Sequence, residues 1–239
     1  MNVKKIPVAA PIWLNPSALD GFIGDGQSRK LTVVTNLLRM NCVRARAALL
    51  LFQQVNKLLP PLELANSDVL AYAEAERASL ELEHQWRLMA ARDMIFAARN
   101  FSFLLGLLSG NLREFRKNPE KLPDHLKKFG LIYNGRITIE LNRISEDFDD
   151  YVPGLHDLRN AAAHADEIYR KDEKKPISQT MESLEGMGRD DGCVMIIDSM
   201  ADDDYIVTTK KHALKFPVSP KVYIGMHSAF CSVARQLQG

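Results

Sequence analysis

Apolar residues recur at steps of three and four over most of this chain, and that spacing restricts it to packed helices. From Ser28 to Leu59 the stripe is Val34, Leu38, Ala45, Ala48, Phe52, Val55 and Leu59, and Pro60-Pro61 ends it. A longer helix is expected from Ser67, a suitable N-cap, to Leu108. Within it Leu82, Trp86, Met89, Asp93, Phe96, Asn100, Phe103 and Leu107 follow a 4-3 rhythm, which predicts a buried seam. Asp93 and Asn100 fall on that seam, so both are expected to be buried and hydrogen-bonded, with a second role in orienting the residues of the motif described below. Ile137, Leu141, Ile144, Phe148 and Tyr151 predict a further amphipathic helix, followed by a short turn at Val152-Pro153-Gly154. Pro153 suits the first turn of the next helix. Leu141, Phe148, Leu158 and Phe96 are the expected core.

The period changes once, near the end. Cys193 to Asp198 and Tyr205 to Thr209 are β-branched or apolar runs around an Asp-rich turn and predict a hairpin, with His212 to Val218 a candidate third strand. Ser219-Pro220 then opens a helix that buries Tyr223, Met226, Phe230, Val233 and Leu237. The expected fold is mainly α, a helical bundle with a small β-hairpin before the C-terminal helix. Residues 1–26, with Pro7, Pro11 and Pro16, read as an extended arm pinned by Ile12, Trp13 and Leu14. Residues 27–239 read as one domain: a bundle over about 27–175, a loop over 176–191, and the hairpin and last helix over 192–239. The glycines from Gly21 to Gly26 do not make a phosphate loop, because no strand precedes them and no Gly-Lys-Ser/Thr follows.

Charge and cysteine content narrow the function. The formal net charge is +1, so no global basic field marks the chain as an avid nucleic-acid binder. Contacts to RNA would rest on local patches, of which the most basic runs through Arg113, Arg116, Lys117, Lys121, Lys127 and Lys128. Cys42, Cys193 and Cys231 have no paired spacing for a disulfide framework or a zinc site, which fits a reducing cytoplasm. No apolar run approaches a membrane span, and Pro7 and Pro11 break the short segment that a signal peptide would need.

The chemistry concentrates between Leu155 and Tyr169, in LHDLRNAAAHADEIY. Leu155, Leu158, Ala162, Ala165 and Tyr169 supply an expected buried face. Arg159, Asn160 and His164 place a fixed cation, an amide and an imidazole within about one and a half turns, separated by three alanines that let a ligand approach closely. Asn160 and His164, four apart, stack on one side. His156 and Asp157 read first as residues of the N-terminal turn, where the helix dipole favours Asp157.

An Arg-Asn followed by three small residues and a His, late in a helical chain, resembles the signature of HEPN domains. These are helical bundles of many RNA-targeting toxins and defence proteins, in which Arg, a polar residue and His form a metal-independent ribonuclease site across a dimer. The resemblance covers this helix, and it implies Arg159, Asn160 and His164 as catalytic residues, with no cofactor and no metal. It further implies RNA as substrate, a homodimer, a toxin or stress-response role, and an antitoxin or regulatory protein as partner. Toxins of the HEPN/nucleotidyltransferase pair carry a Tyr two residues after the His. Here that position is Asp166, which argues against adenylylation there. The chemistry agrees with the residue types. The 2′-hydroxyl of RNA is its own nucleophile, an imidazole can take its proton near neutral pH, and a guanidinium can stabilise the charge gathering on the phosphate. Two other classes stay open: a non-catalytic module binding a nucleotide or a protein, and a helical scaffold whose motif is accidental.

Overall fold

The computed structural model describes residues 7–10, 28–58, 69–110, 135–163, 198–208 and 213–238. They form α1 (Ser28–Leu58), α2 (Val69–Ser109), α3 (Gly135–Tyr151), α4 (Leu155–Ala163), β1 (Asp198–Ala201), β2 (Asp204–Thr208), β3 (Ala213–Pro217) and α5 (Pro220–Gln238). The fold is mainly α, with a small antiparallel sheet ahead of the C-terminal helix. Two compact units divide the chain. One comprises Met1–Arg46, Phe96–Leu155 and Pro220–Gly239, and the other Ala47–Ile95 and His156–Ser219, so α1 and α2 each contribute to both.

In the first unit, Leu31, Val34, Leu38, Cys42 and Ala45 of α1 are buried, along with Phe101, Leu105 and Leu108 of α2. Thr35 also lies on the buried face of α1, its hydroxyl satisfied by the Leu31 carbonyl at 3.0 Å. Leu141 and Phe148 of α3 are buried as expected, and Phe148 meets Phe101 edge-on at 5.1 Å between ring centroids. The next residue along each helix adds a polar contact: Ser102 Oγ donates to Asp149 Oδ1 at 2.5 Å. On α5 all five expected residues are buried, together with Val222. Tyr151 crosses to α5, donating its hydroxyl to the Lys221 carbonyl at 3.1 Å. The N-terminal arm is pinned at Pro7, whose carbonyl accepts the Tyr223 hydroxyl, and Ala9 is buried; Ile12, Trp13 and Leu14 lie outside the described residues. Burial and the neighbouring Cys231 push the Cys42 thiol up to about 12.

The second unit contains the sheet, in the order β1-β2-β3. The third strand expected as a candidate is present, so the hairpin is extended to three strands, with Tyr205 opposite Phe216 and Val207 opposite Leu214. The first strand, β1, occupies Asp198–Ala201 and so runs past its expected end at Asp198, while residues 193–197 of that expectation lie outside the described residues. The turn is only Asp202-Asp203, closed by the Ala201–Asp204 pair, so Asp204 belongs to a strand. Asp202 adopts φ 53°, the left-handed region that aspartate tolerates better than most side chains. Tyr205, Ile206 and Val207 are all buried, so the central strand is covered on both faces. Burial raises the Tyr205 hydroxyl, and the Arg92 guanidinium beside it opposes that rise.

The expected seam of α2 is corrected in part by the structure. Leu107 is buried and Trp86, Phe96 and Phe103 are half-buried, but Leu82 is 41% exposed and Met89 60%, and Asp93 and Asn100 are exposed too. The buried face is instead Ala90, Ala91, Met94, Ile95, Ala97, Ala98, Phe101 and Leu105. Alanine hides little area per residue, so a pattern weighted by large side chains passes over it. Asp93 and Asn100 are therefore not buried positions of a seam. Glycine takes the left-handed conformation at two helix ends. Gly110, with φ +71°, ends α2 and donates to the Leu107 carbonyl, and Gly154, with φ +75°, separates α3 from α4. Pro153 lies in that turn and not in the first turn of α4, which begins at Leu155.

Truncating Phe148 to Ala removes the edge-on ring from a closed core and should cost about 3–5 kcal/mol; chemical denaturation with an unchanged m-value is the measurement. A second expectation concerns alkali. The folded Cys42 pKa lies above its ordinary 9.0, so from pH 9 towards about 12 the unfolded chain releases this proton first and the native state loses stability. The fall in Tm across that window should be shallower in Cys42→Ala, leaving the part due to Tyr223, which burial also raises to about 12.

Candidate functional site

α4 forms because a helix-favouring segment, Leu-Arg-Asn-Ala-Ala-Ala, follows the turn at Gly154, and Asp157 sits in its first turn where the dipole favours a carboxylate. Leu155, Leu158, Ala161 and Ala162 are buried, matching the expected face, while Ala165 and Tyr169 lie outside the described residues. This anchoring leaves Arg159 and Asn160 half-buried at the edge of the packed face.

The structure brings Arg159 and Asn160 together. Arg159 Nη1 donates to Asn160 Oδ1 at 3.1 Å. A guanidinium has only donors, so this contact fixes which end of the amide is the oxygen. Asn160 Nδ2 then faces His156 Nε2 at 2.9 Å, one turn back along the helix. The amide nitrogen can only donate, so Nε2 must accept, which places the imidazole proton on Nδ1. A chain of contacts thus runs from His156 through Asn160 to Arg159. It holds the guanidinium by an amide whose two ends are both engaged.

His156, expected as a residue of the N-terminal turn, is the imidazole that meets the Asn160 amide. The signal was present, because His156 precedes Asn160 by four just as His164 follows it by four. Asp157 stays in the role expected for it, exposed in the first turn. His164 and Asp166 lie outside the described residues, as does the basic run from Arg113 to Lys128. Asp93 and Asn100, expected as interior partners of the motif, are exposed. Among the described residues no group of three or more His, Cys, Asp and Glu is placed to hold a metal ion, and no helix is long and apolar enough to cross a membrane.

The arrangement holds a planar, permanently charged fork at the edge of the packed face, with Ala161 and Ala162 buried beneath it, and such a fork has the donor geometry that suits a phosphate or carboxylate. The chain matches no family model, and comparisons with curated proteins and with solved structures find no match either. The site's own geometry is therefore what speaks for its role.

The tautomer is directly measurable. Long-range nitrogen–proton NMR of His156 should show the proton on Nδ1 in the wild type at a pH where the ring is neutral. In Asn160→Ala the ring should move towards the mixture of a solvated imidazole, whereas an unchanged spectrum would show that the amide does not hold it.

Proposed function

We propose that this protein is a HEPN-like, metal-independent endoribonuclease that cuts single-stranded RNA by attack of the 2′-hydroxyl on the adjacent phosphate. The observation that carries the reading is Arg159, its guanidinium held by the Asn160 amide on a helix that follows it with three alanines. In this reading Arg159 binds the non-bridging phosphate oxygens and stabilises the charge that builds as the new P–O bond forms. His164 accepts the 2′-hydroxyl proton, and the departing 5′-oxygen takes a proton from a second acid. A homodimer supplies that acid as the His164 of a second copy. His156 acts as a positioning residue through Asn160. Such an activity fits a toxin or stress-response role in the cytoplasm, restrained by an antitoxin or another regulatory protein.

Purified protein should cleave single-stranded RNA in the presence of a chelator and leave a 2′,3′-cyclic phosphate, since water is not the first nucleophile. DNA, lacking the 2′-hydroxyl, should resist. His164→Ala should slow cleavage by ~10²–10⁴. Arg159→Lys keeps the charge but loses the fork and should fail as well. Equal RNA degradation by the wild type and His164→Ala would assign the activity to a contaminant and reject the proposal.

A further inference from the structure

α1 carries charge of one sign. Its 31 residues include Arg29, Lys30, Arg39, Arg44, Arg46 and Lys57 and neither Asp nor Glu, although acids and bases nearly balance over the chain. Arg29 stands in the first turn, where the helix dipole disfavours a cation unless an anion comes up to it. The outward side of the helix is also apolar. Val33, Leu37, Met40 and Val43 are 37–52% exposed and succeed one another at steps of four, three and three, a row about 15 Å long. The buried stripe of Leu31, Val34, Leu38 and Cys42 lies on another side, so α1 is apolar on two faces.

The row and the cations touch. Arg39 Nη2 lies 3.9 Å from Met40 Sδ, and Arg29 is one turn before Val33. What covers such a face has to take aliphatic side chains and guanidinium groups side by side. Single-stranded RNA is held by stacking on aromatic rings, and protein hot spots lean on Trp and Tyr. The only aromatic residue of α1 is Phe52, and it is buried. A phospholipid surface needs no such anchor and no matching shape. Its phosphates meet cations, and just beneath them the acyl boundary takes up aliphatic side chains while arginines reach back to the headgroups.

We propose that this face of α1 docks on an anionic phospholipid surface, with Leu37 and Met40 below the headgroups and Arg29 and Arg39 among the phosphates. The helix lies along the surface and keeps its inner stripe packed in the first unit. It does not span: no helix among the described residues is long and apolar enough to cross a membrane. The docking stands whether or not the protein cleaves RNA.

Co-sedimentation of the full chain with vesicles tests this, with circular dichroism confirming that each variant is folded. Wild type should bind vesicles of mixed phosphatidylserine and phosphatidylcholine, come off as salt rises, and leave pure phosphatidylcholine vesicles unbound. Arg29→Gln and Arg39→Gln should each weaken binding about fivefold. Leu37→Gln combined with Met40→Gln should weaken it by at least about tenfold. Ile139→Gln, which changes a still more exposed apolar residue on α3, should bind as the wild type does. A wild type that stays in the supernatant overturns the proposal. So does equal binding to both kinds of vesicle, a double variant that binds as the wild type does, or loss of binding in Ile139→Gln. Release from the vesicles by single-stranded RNA bound through Arg29 and Arg39 overturns it as well.

Discussion

The first unit turns on the Asp149 carboxylate, which is only 8% exposed. An anion in that position is expensive unless a donor meets it, and the Ser102 hydroxyl does so. The contact is paired with an apolar one, because Phe148 and Phe101 sit one residue earlier on the same two helices. A ring that needs another ring and a carboxylate that needs a hydroxyl, at adjacent positions, are satisfied together in only one rotation of α3. From that rotation Leu141 and Ser145 go inside, and Tyr151 falls against α5. The polar half of the clamp thus sets direction while the aromatic half supplies most of the buried area.

Much of this architecture was legible in the residues, and the exceptions share a cause. α1, α3 and α5 were readable because their buried faces use large side chains at clear intervals, from Leu38 to Phe148 to Phe230. α2 lies where the residues place it, but its inner face is legible only in part. Ala90, Ala91, Ala97 and Ala98 are buried there among Met94, Ile95, Phe101 and Leu105, while the conspicuous Leu82 and Met89 are exposed. Burial of alanine depends on how near the neighbouring backbone comes, which no single helix encodes. The turn between the first two strands is shorter than the residues suggest, because three consecutive aspartates look like a loop. Only pairing to Ala201 shows that Asp204 is already strand.

The site was legible in part for a similar reason. Arg159 and Asn160 stand out as polar residues in an alanine-rich segment, and they do interact. Which imidazole meets the Asn160 amide is a choice between two positions equally spaced along the helix, at 156 and 164. Sequence spacing is symmetric in that choice, and a donor–acceptor chain is not. Once the guanidinium claims the amide oxygen, it is the amide nitrogen that faces His156, and that contact has a direction: nitrogen donates and imidazole accepts.

Gly225 has a consequence for how this chain can change over time. Glycine inside a helix costs about 1 kcal/mol relative to alanine, so drift alone would favour replacing it. The Tyr151 ring opposes that replacement by standing 2.5–2.7 Å from any Cβ the position would acquire. A side chain at residue 225 has to push that ring aside, and with it the hydroxyl that reaches the Lys221 carbonyl. The two positions, 74 residues apart in the chain, are thus coupled: what one can become depends on what the other is.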